Sequence, residues 1–370
     1  MSIAYVNARV LTERGFRDDV AVVVDNGAIE AIVAADDVAV DEVRDLGGDW
    51  LVPGFIDVQV NGGGDVLFND APTVETIRRI GEAHRRFGTT GFLPTLISDD
   101  AGKMRAAIAA VDAAIADGVP GVLGIHLKGP YLAPARRGVH DDTKFRVPDA
   151  HEIALVASLK NGRTVLTLAP ERVPVETIEA LTKSGVIVCA GHTGATYDQT
   201  RVALDAGLRG FTHLYNAMSP LTSREPGVVG AALDDRDAWC GIVVDGFHVH
   251  AASLRIALAA KPRGKLFLVT DAMPPVGGDS ATYSLGGVTI TCRDGRCVTP
   301  DGVIAGSALD MASAVRNSVA TLGVDLAEAV RMASTYPADF LGLRTHGRIA
   351  PGAVARFVVL DQAMRVRETI

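Results

Sequence analysis

Eight short apolar runs recur through the middle of the chain, at 55–61, 90–96, 122–128, 164–170, 186–192, 210–216, 240–246 and 266–272. Each is the length of a strand and too short for a helix. Most are separated by segments with apolar residues at helical spacing, such as 71–88, 100–118 and 196–207. Strands alternating with helices in that number predict an α/β fold, a closed (β/α)8 barrel of the TIM type. An open doubly wound sheet is the alternative. It calls for a glycine-rich turn after an early strand, and Asn61-Gly62-Gly63-Gly64-Asp65 has neither the GxGxxG spacing nor a Lys-Ser/Thr pair. The pattern favours the barrel.

The two ends have another rhythm. Residues 3–12, 18–27 and 28–37 alternate β-branched and polar residues around Asp-Asn-Gly punctuation, and 346–361 returns to that character with a pair of strands around Pro351-Gly352. A small β-sandwich domain formed by both chain termini is expected, residues 1–53 and 346–370, with a barrel over 54–345 as the insertion. Within 282–302 a second hairpin region carries Asp294-Gly295, a type I′ turn signal, and about 307–342 reads as helices.

Composition narrows the function classes. The 370 residues carry a formal charge of −8, with 44 acidic against 36 basic side chains, which argues against a nucleic-acid partner. An anionic ligand would need a local basic cluster. The first residues show no basic stretch followed by an apolar run, and no stretch of about 18 apolar residues occurs, so neither signal peptide nor membrane span is expected. The four cysteines form no CxxC pair and read as reduced thiols of a cytoplasmic protein; Cys292 and Cys297 face each other across a hairpin in this reading, without a bond.

In a barrel, chemistry collects where the strands end. Of nine histidines, His84, His151 and His346 fall in helical or loop settings and read as surface residues. His126, His140, His192, His213, His248 and His250 fall late in a strand or just after one. Each alone is as well read as a hydrogen-bonded structural residue; six on one rim suggest a site. Alternation puts Asp57, Gln59 and Asn61 on one face of the first strand, lining either a site or a polar plug. His192 and His213 end consecutive strands and would converge at the barrel mouth, as a metal requires. Asp271 closes the eighth run, as a helix cap or a catalytic base.

Several segments together resemble the N-acetylglucosamine-6-phosphate deacetylases of the amidohydrolase superfamily. They are PGFIDVQVNGGG (53–64), HLKGPYL (126–132), RRGVHD (136–141), AGHTGAT (190–196), THLYNAMSPLTSREPGVVG (212–230), DGFHV (245–249), LVTDAM (268–273) and IAGSALDM (304–311). The resemblance runs nearly end to end. It implies a barrel enzyme with one divalent metal ion (zinc, iron, cobalt or manganese), held by His192, His213 and a third ligand. It implies Asp271 as the catalytic acid/base and His140 on the substrate amide. Val139, Asn216, Ala217, Arg224, His248, Ile304, Ala305 and Gly306 match substrate contacts, some of them supplied across a homodimer interface. Gln59 and Asn61 stand where many superfamily members have histidines for a second metal. The implied partner is an amino-sugar phosphate, which Arg224 and His248 would cradle, with no membrane and no nucleic acid.

One position departs from that pattern. Where the family reads His-Leu-Glu-Gly-Pro, with the glutamate as third ligand, this chain reads His126-Leu127-Lys128-Gly129-Pro130. An ammonium has no lone pair for a metal. A divalent ion facing it at van der Waals range costs about 8 kcal/mol at an effective dielectric near that of a protein site. Three readings follow: an intact deacetylase scaffold with impaired activity, a carbamylated lysine serving as a carboxylate in an enzyme acting on a related N-acyl substrate, or a metal-free sugar-phosphate binding protein without turnover.

Overall fold

The computed structural model describes residues 2–370. Its centre is an eight-stranded parallel sheet: β1 (Phe55–Val60), β2 (Thr89–Ile97), β3 (Gly124–Lys128), β4 (Arg163–Leu168), β5 (Ile187–Ala190), β6 (Gly210–Phe211), β7 (Trp239–Ile242) and β8 (Leu266–Leu268). Neighbours in the sequence are neighbours in the sheet. The ring is completed by a parallel bridge between Val60, the last residue of β1, and Ala272, four residues past the end of β8. Every residue of β1, β2 and β3 is buried, because helices cover the outside and side chains fill the inside.

The helices begin where the sequence supplies acceptors for their free N–H groups. Thr73, Asp100 and Asp149 each accept a bond from the third residue on. Thr196 and Gln199 form a reciprocal capping box ahead of Tyr197–Asp205. These starts fix the loops leaving β2 and β5, and so the rim.

Both chain ends build the second unit. One sheet orders Ala28–Ala34, Val20–Asp25, Ser2–Val6 and Glu42–Asp45; the other orders Val366–Thr369, Phe357–Leu360, Trp50–Pro53, Arg9–Thr12 and Gly15–Arg17. Tyr5, Val22 and Val24 of the first face Val10, Leu51 and Phe357 of the second in a core separate from that of the barrel. Chain ends that are far apart in sequence thus close one β-sandwich.

Three expectations are corrected. Pro351-Gly352 does not join two strands: only Phe357–Leu360 of that segment is extended into a ladder, and its hairpin partner is Val366–Thr369. Cys292 and Cys297 are bonded rather than reduced; they are direct cross-strand partners, with Cα atoms 4.0 Å apart. His84 is not at the surface but fully buried, its Nε2 donating to the Gly62 carbonyl at 2.9 Å. Its helix faces the Gly62–Gly63 strand, where a Cβ on Gly63 would come within 2.8 Å of the ring. The Asp294-Gly295 turn does have the two positive φ angles of type I′, 52° and 83°.

Candidate active site

Five strands aim side chains into the barrel mouth. Lys128 ends β3, and Asn61, His192, His213 and Asp271 follow β1, β5, β6 and β8. At three of these exits the backbone is left-handed, with φ of 49° at His192, 39° at His213 and 52° at Asp271. Such conformations cost roughly 1–3 kcal/mol each for residues with a Cβ and persist where surrounding structure imposes them. Here they turn each side chain off the strand line and over the ring. Gly306 closes the opposite wall with φ of 63°, and a Cβ there would lie 2.4 Å from Met273 Cγ.

The charged centre is a pair. Lys128 Nζ donates to both Asp271 oxygens, at 3.1 and 3.3 Å, and Asn61 Nδ2 donates to Asp271 Oδ1 at 2.7 Å. Burial alone would raise the Asp271 carboxyl, but Lys128, the neighbouring histidines and the Asn61 bond outweigh it and hold it well below the usual range.

The histidines beside it are neutral. His192 Nδ1 donates to the Arg136 carbonyl at 2.9 Å, which leaves Nε2 as an acceptor. His213 Nε2 lies 3.1 Å from that nitrogen and must therefore carry the proton it shares. Its own Nδ1 has no partner. Burial and then the Lys128 charge push His192 down to about 3, and the same two causes hold His213 well below its ordinary value.

A second layer fixes these groups. His126 lies inside the barrel between the Val58 carbonyl at 2.8 Å and Thr167 Oγ1 at 2.7 Å, and burial lowers it to about 4. Asp57 accepts from Thr270 Oγ1 at 2.5 Å, and burial raises its carboxyl to about 7. His140 Nδ1 meets Ser98 Oγ at 2.8 Å; when that hydroxyl donates, the ring keeps its proton on Nε2.

A cavity of about 280 Å³ opens over this centre. It gathers Asn61, Lys128, Val139, His140, His192, His213, Asn216, Ala217, His248, Asp271, Ile304 and Gly306. Gln59 lies beneath it, buried, its Nε2 without a partner. Ala305 faces the core of the neighbouring hairpin. Arg224 is exposed on the loop after β6 and outside the cavity. His250 is exposed and accepts from Ala252 N, capping a helix. Sequence reasoning passed over Ile97, Gly138, Met273 and Val303, which also line the cavity, and Ser98, which holds His140. Ile97 and Ser98 sit at the end of β2, so the rule that placed the histidines would have found them.

A barrel with chemistry at its strand ends, joined to a sandwich from both termini, defines the amidohydrolase class, and this chain belongs to it: the Amidohydrolase family matches residues 50–370. Among its relatives, the N-acetylgalactosamine-6-phosphate deacetylase of Shewanella sp. (strain ANA-3) is 44% identical over 97% of this chain and 92% of its own. The N-acetylglucosamine-6-phosphate deacetylase of Haemophilus influenzae is 34% identical over 100% and 98%. The crystal structure of N-acetylglucosamine-6-phosphate deacetylase from Pasteurella multocida superimposes with a TM-score of 0.97 at 35% identity, covering 100% of this chain and 98% of that one. A mutant of the Mycobacterium smegmatis enzyme in complex with N-acetyl-D-glucosamine 6-phosphate gives 0.91 at 33% identity, covering 100% and 97%.

Amidohydrolases generally use a divalent metal, and the residues present here do not fit one. Among the described residues no three His, Cys, Asp or Glu side chains gather as a metal site. The carboxylate is held by an ammonium, and Lys128 brings a positive charge where a cation would sit beside the two imidazoles. Among the same residues, no helix is long and apolar enough to cross a membrane.

Proposed function

We propose that the chain is a deacetylase scaffold for N-acetyl-D-glucosamine 6-phosphate, yielding D-glucosamine 6-phosphate and acetate in cytoplasmic amino-sugar catabolism and recycling, with turnover held low by Lys128. The observation that carries this is the cavity that sets His140 and Asp271 among Asn216, Ala217 and His248. Asp271 takes a proton from the water that attacks the acetamide carbonyl, and His140 donates to the oxygen on which charge develops. The C–N bond then breaks as Asp271 returns the proton to the leaving amine. Both Asp271 oxygens are already occupied by Lys128, so this carboxylate is a poor base in the chain as it stands.

Asn216, Ala217 and His248 receive the phosphate, and Val139, Ile304 and Gly306 shape the sugar pocket, with Ala305 packed behind them against the hairpin. Arg224, exposed here, reaches a phosphate in a second copy of the chain, which makes the working form a homodimer. Gln59 and Asn61 support the site from below. The two separate cores favour 1–53 with 346–370 as one domain and 54–345 as the other. A metal of unspecified identity belongs to the site only once Lys128 is replaced. Gln59 and Asn61, standing where histidines would hold a second metal for a carbamate to bridge, disfavour the carbamylated reading.

Acetate release and metal content, measured on the chain and on Lys128→Glu, test the proposal. Slow release by the chain, with activity and metal both rising by orders of magnitude in the variant, is the expected result. High activity that is independent of bicarbonate and unchanged by the substitution would overturn it. Bicarbonate-dependent activity with the added mass of one CO₂ would support the carbamyl-lysine enzyme instead. Tight sugar-phosphate binding with no release in either form would leave a binding protein.

A further inference from the structure

A second cavity of about 690 Å³ lies against the first and shares its wall at Ile97, Val139, His140 and Val303. A hexosamine phosphate bound as above takes the smaller cavity, and the reading above assigns nothing to the larger one. We propose that the larger cavity receives the acyl group of N-acylhexosamine 6-phosphates whose acyl chain is longer than acetyl. The inference rests on the reading above that His140 contacts the substrate amide, because that places the acyl carbon at the shared wall.

The direction follows from which residues the cavities share. Asn216, Ala217 and His248, assigned to the phosphate, line only the first cavity, so the phosphate end stays there. His140, assigned to the amide, lines both. The throat beside it is apolar, made by Ile97, Val139 and Val303, and leads to Leu285 and Ile290 of the hairpin wall. The cavity does contain Lys103, Arg137 and Lys144, which would otherwise suggest a phosphate. Each already faces a carboxylate: Lys103 and Lys144 lie 3.4 and 3.9 Å from Asp99, and Arg137 lies 3.1 Å from Asp142. Asp70, Asp141 and Asp301 also line the space, so it offers no net positive field to a dianion. An aliphatic chain passing the throat buries its methylenes against Ile97, Val139 and Val303, then Leu285 and Ile290.

Calorimetric titration of the chain with N-acetyl-, N-butanoyl- and N-hexanoyl-glucosamine 6-phosphate tests this, with released acid measured in parallel. Burying a methylene raises affinity by up to about fourfold. The hexanoyl sugar is therefore expected to bind at least tenfold more tightly than the acetyl sugar. Leu285→Trp, which narrows the second cavity where the apolar throat opens into it, should sharply reduce that gain and leave acetyl binding unchanged. Affinity that falls steadily from acetyl to hexanoyl in the unaltered chain would overturn the proposal whether or not the variant folds. A gain undiminished by Leu285→Trp would overturn it too. Failure of all three sugars to bind would overturn the deacetylase reading itself, an outcome distinct from loss of the longer chains alone.

Discussion

Lys128 and Asp271 form a buried ion pair across the barrel mouth, Nζ to Oδ1 at 3.1 Å, with side chains only 6% and 7% exposed. Removing one partner from such a pair leaves an unpaired charge in a low dielectric, a loss of about 3–5 kcal/mol. Lys128→Met should therefore lower stability by that order in a denaturant titration. Adding Asp271→Asn should recover much of it. A double-mutant cycle with no coupling between the two positions would mean the pair is not formed in solution.

Asp271→Asn, placed in the Lys128→Glu background where turnover is measurable, should abolish acetate release and leave sugar-phosphate binding largely intact. The substitution keeps the shape and the contact to Asn61 while removing the proton acceptor. A variant that retained most of its kcat would take the acid/base role away from Asp271.

Ser98→Ala should act through His140. Without the hydroxyl, Nδ1 loses the partner that fixes the tautomer, and kcat in the same background should fall about tenfold or more, with KM changing little. A rise in KM alone would make Ser98 a substrate-shaping residue instead.

Arg224→Ala should raise KM for the 6-phosphate by about ten- to a hundredfold, the worth of one charge-assisted phosphate contact, and scarcely alter hydrolysis of unphosphorylated N-acetylglucosamine. Because Arg224 lies outside the cavity of its own chain, the effect should disappear in a monomeric form. Equal losses on both sugars would remove it from the phosphate site.

His126 makes acid stability a test of the barrel interior. Its folded-state value of about 4 lies below the unfolded value of about 6.5, so between these pH values the unfolded chain holds a proton that the native chain does not. Stability attributable to this residue is whole above about 6.5 and falls as pH drops to about 4, by about 3 kcal/mol. The stability advantage of the chain over His126→Gln should shrink by that amount between pH 7 and 4. A constant difference would mean His126 titrates normally.

Much of this was legible in the residues. Eight apolar runs placed eight strands, and the strand-end rule brought His192, His213, Asp271 and Asn61 to one mouth, while Lys128 stood out only against the motif of the family the chain resembles. What escaped has physical reasons. His84 sits on a helix whose pattern shows which face is apolar, but not that a glycine strand would pack on its ring. The Cys292–Cys297 bond depends on register, because Asp294-Gly295 fixes the turn only once both strands are known to pair. Pro351-Gly352 carries turn residues, yet its flanks bridge to Ile29 and Thr12 of distant segments instead of to each other. That the two candidate metal histidines bond to each other is a matter of tautomers, which no residue string records.

The shared sheet of the two chain ends also sets an order of events during synthesis. Trp50–Pro53 pairs with Phe357–Leu360, so when the ribosome releases the early strands their hydrogen-bonding edge has no partner in the chain yet made. At ordinary translation rates that edge waits on the order of tens of seconds. Unpaired edges recruit other chains, so the nascent protein depends on the barrel, or on a chaperone, to shelter them until the last strands arrive. Stalled chains lacking Phe357–Leu360 should expose Arg9–Thr12 and Trp50–Pro53 to protease, and protection there before the final strands emerge would show that the early sheet closes without them.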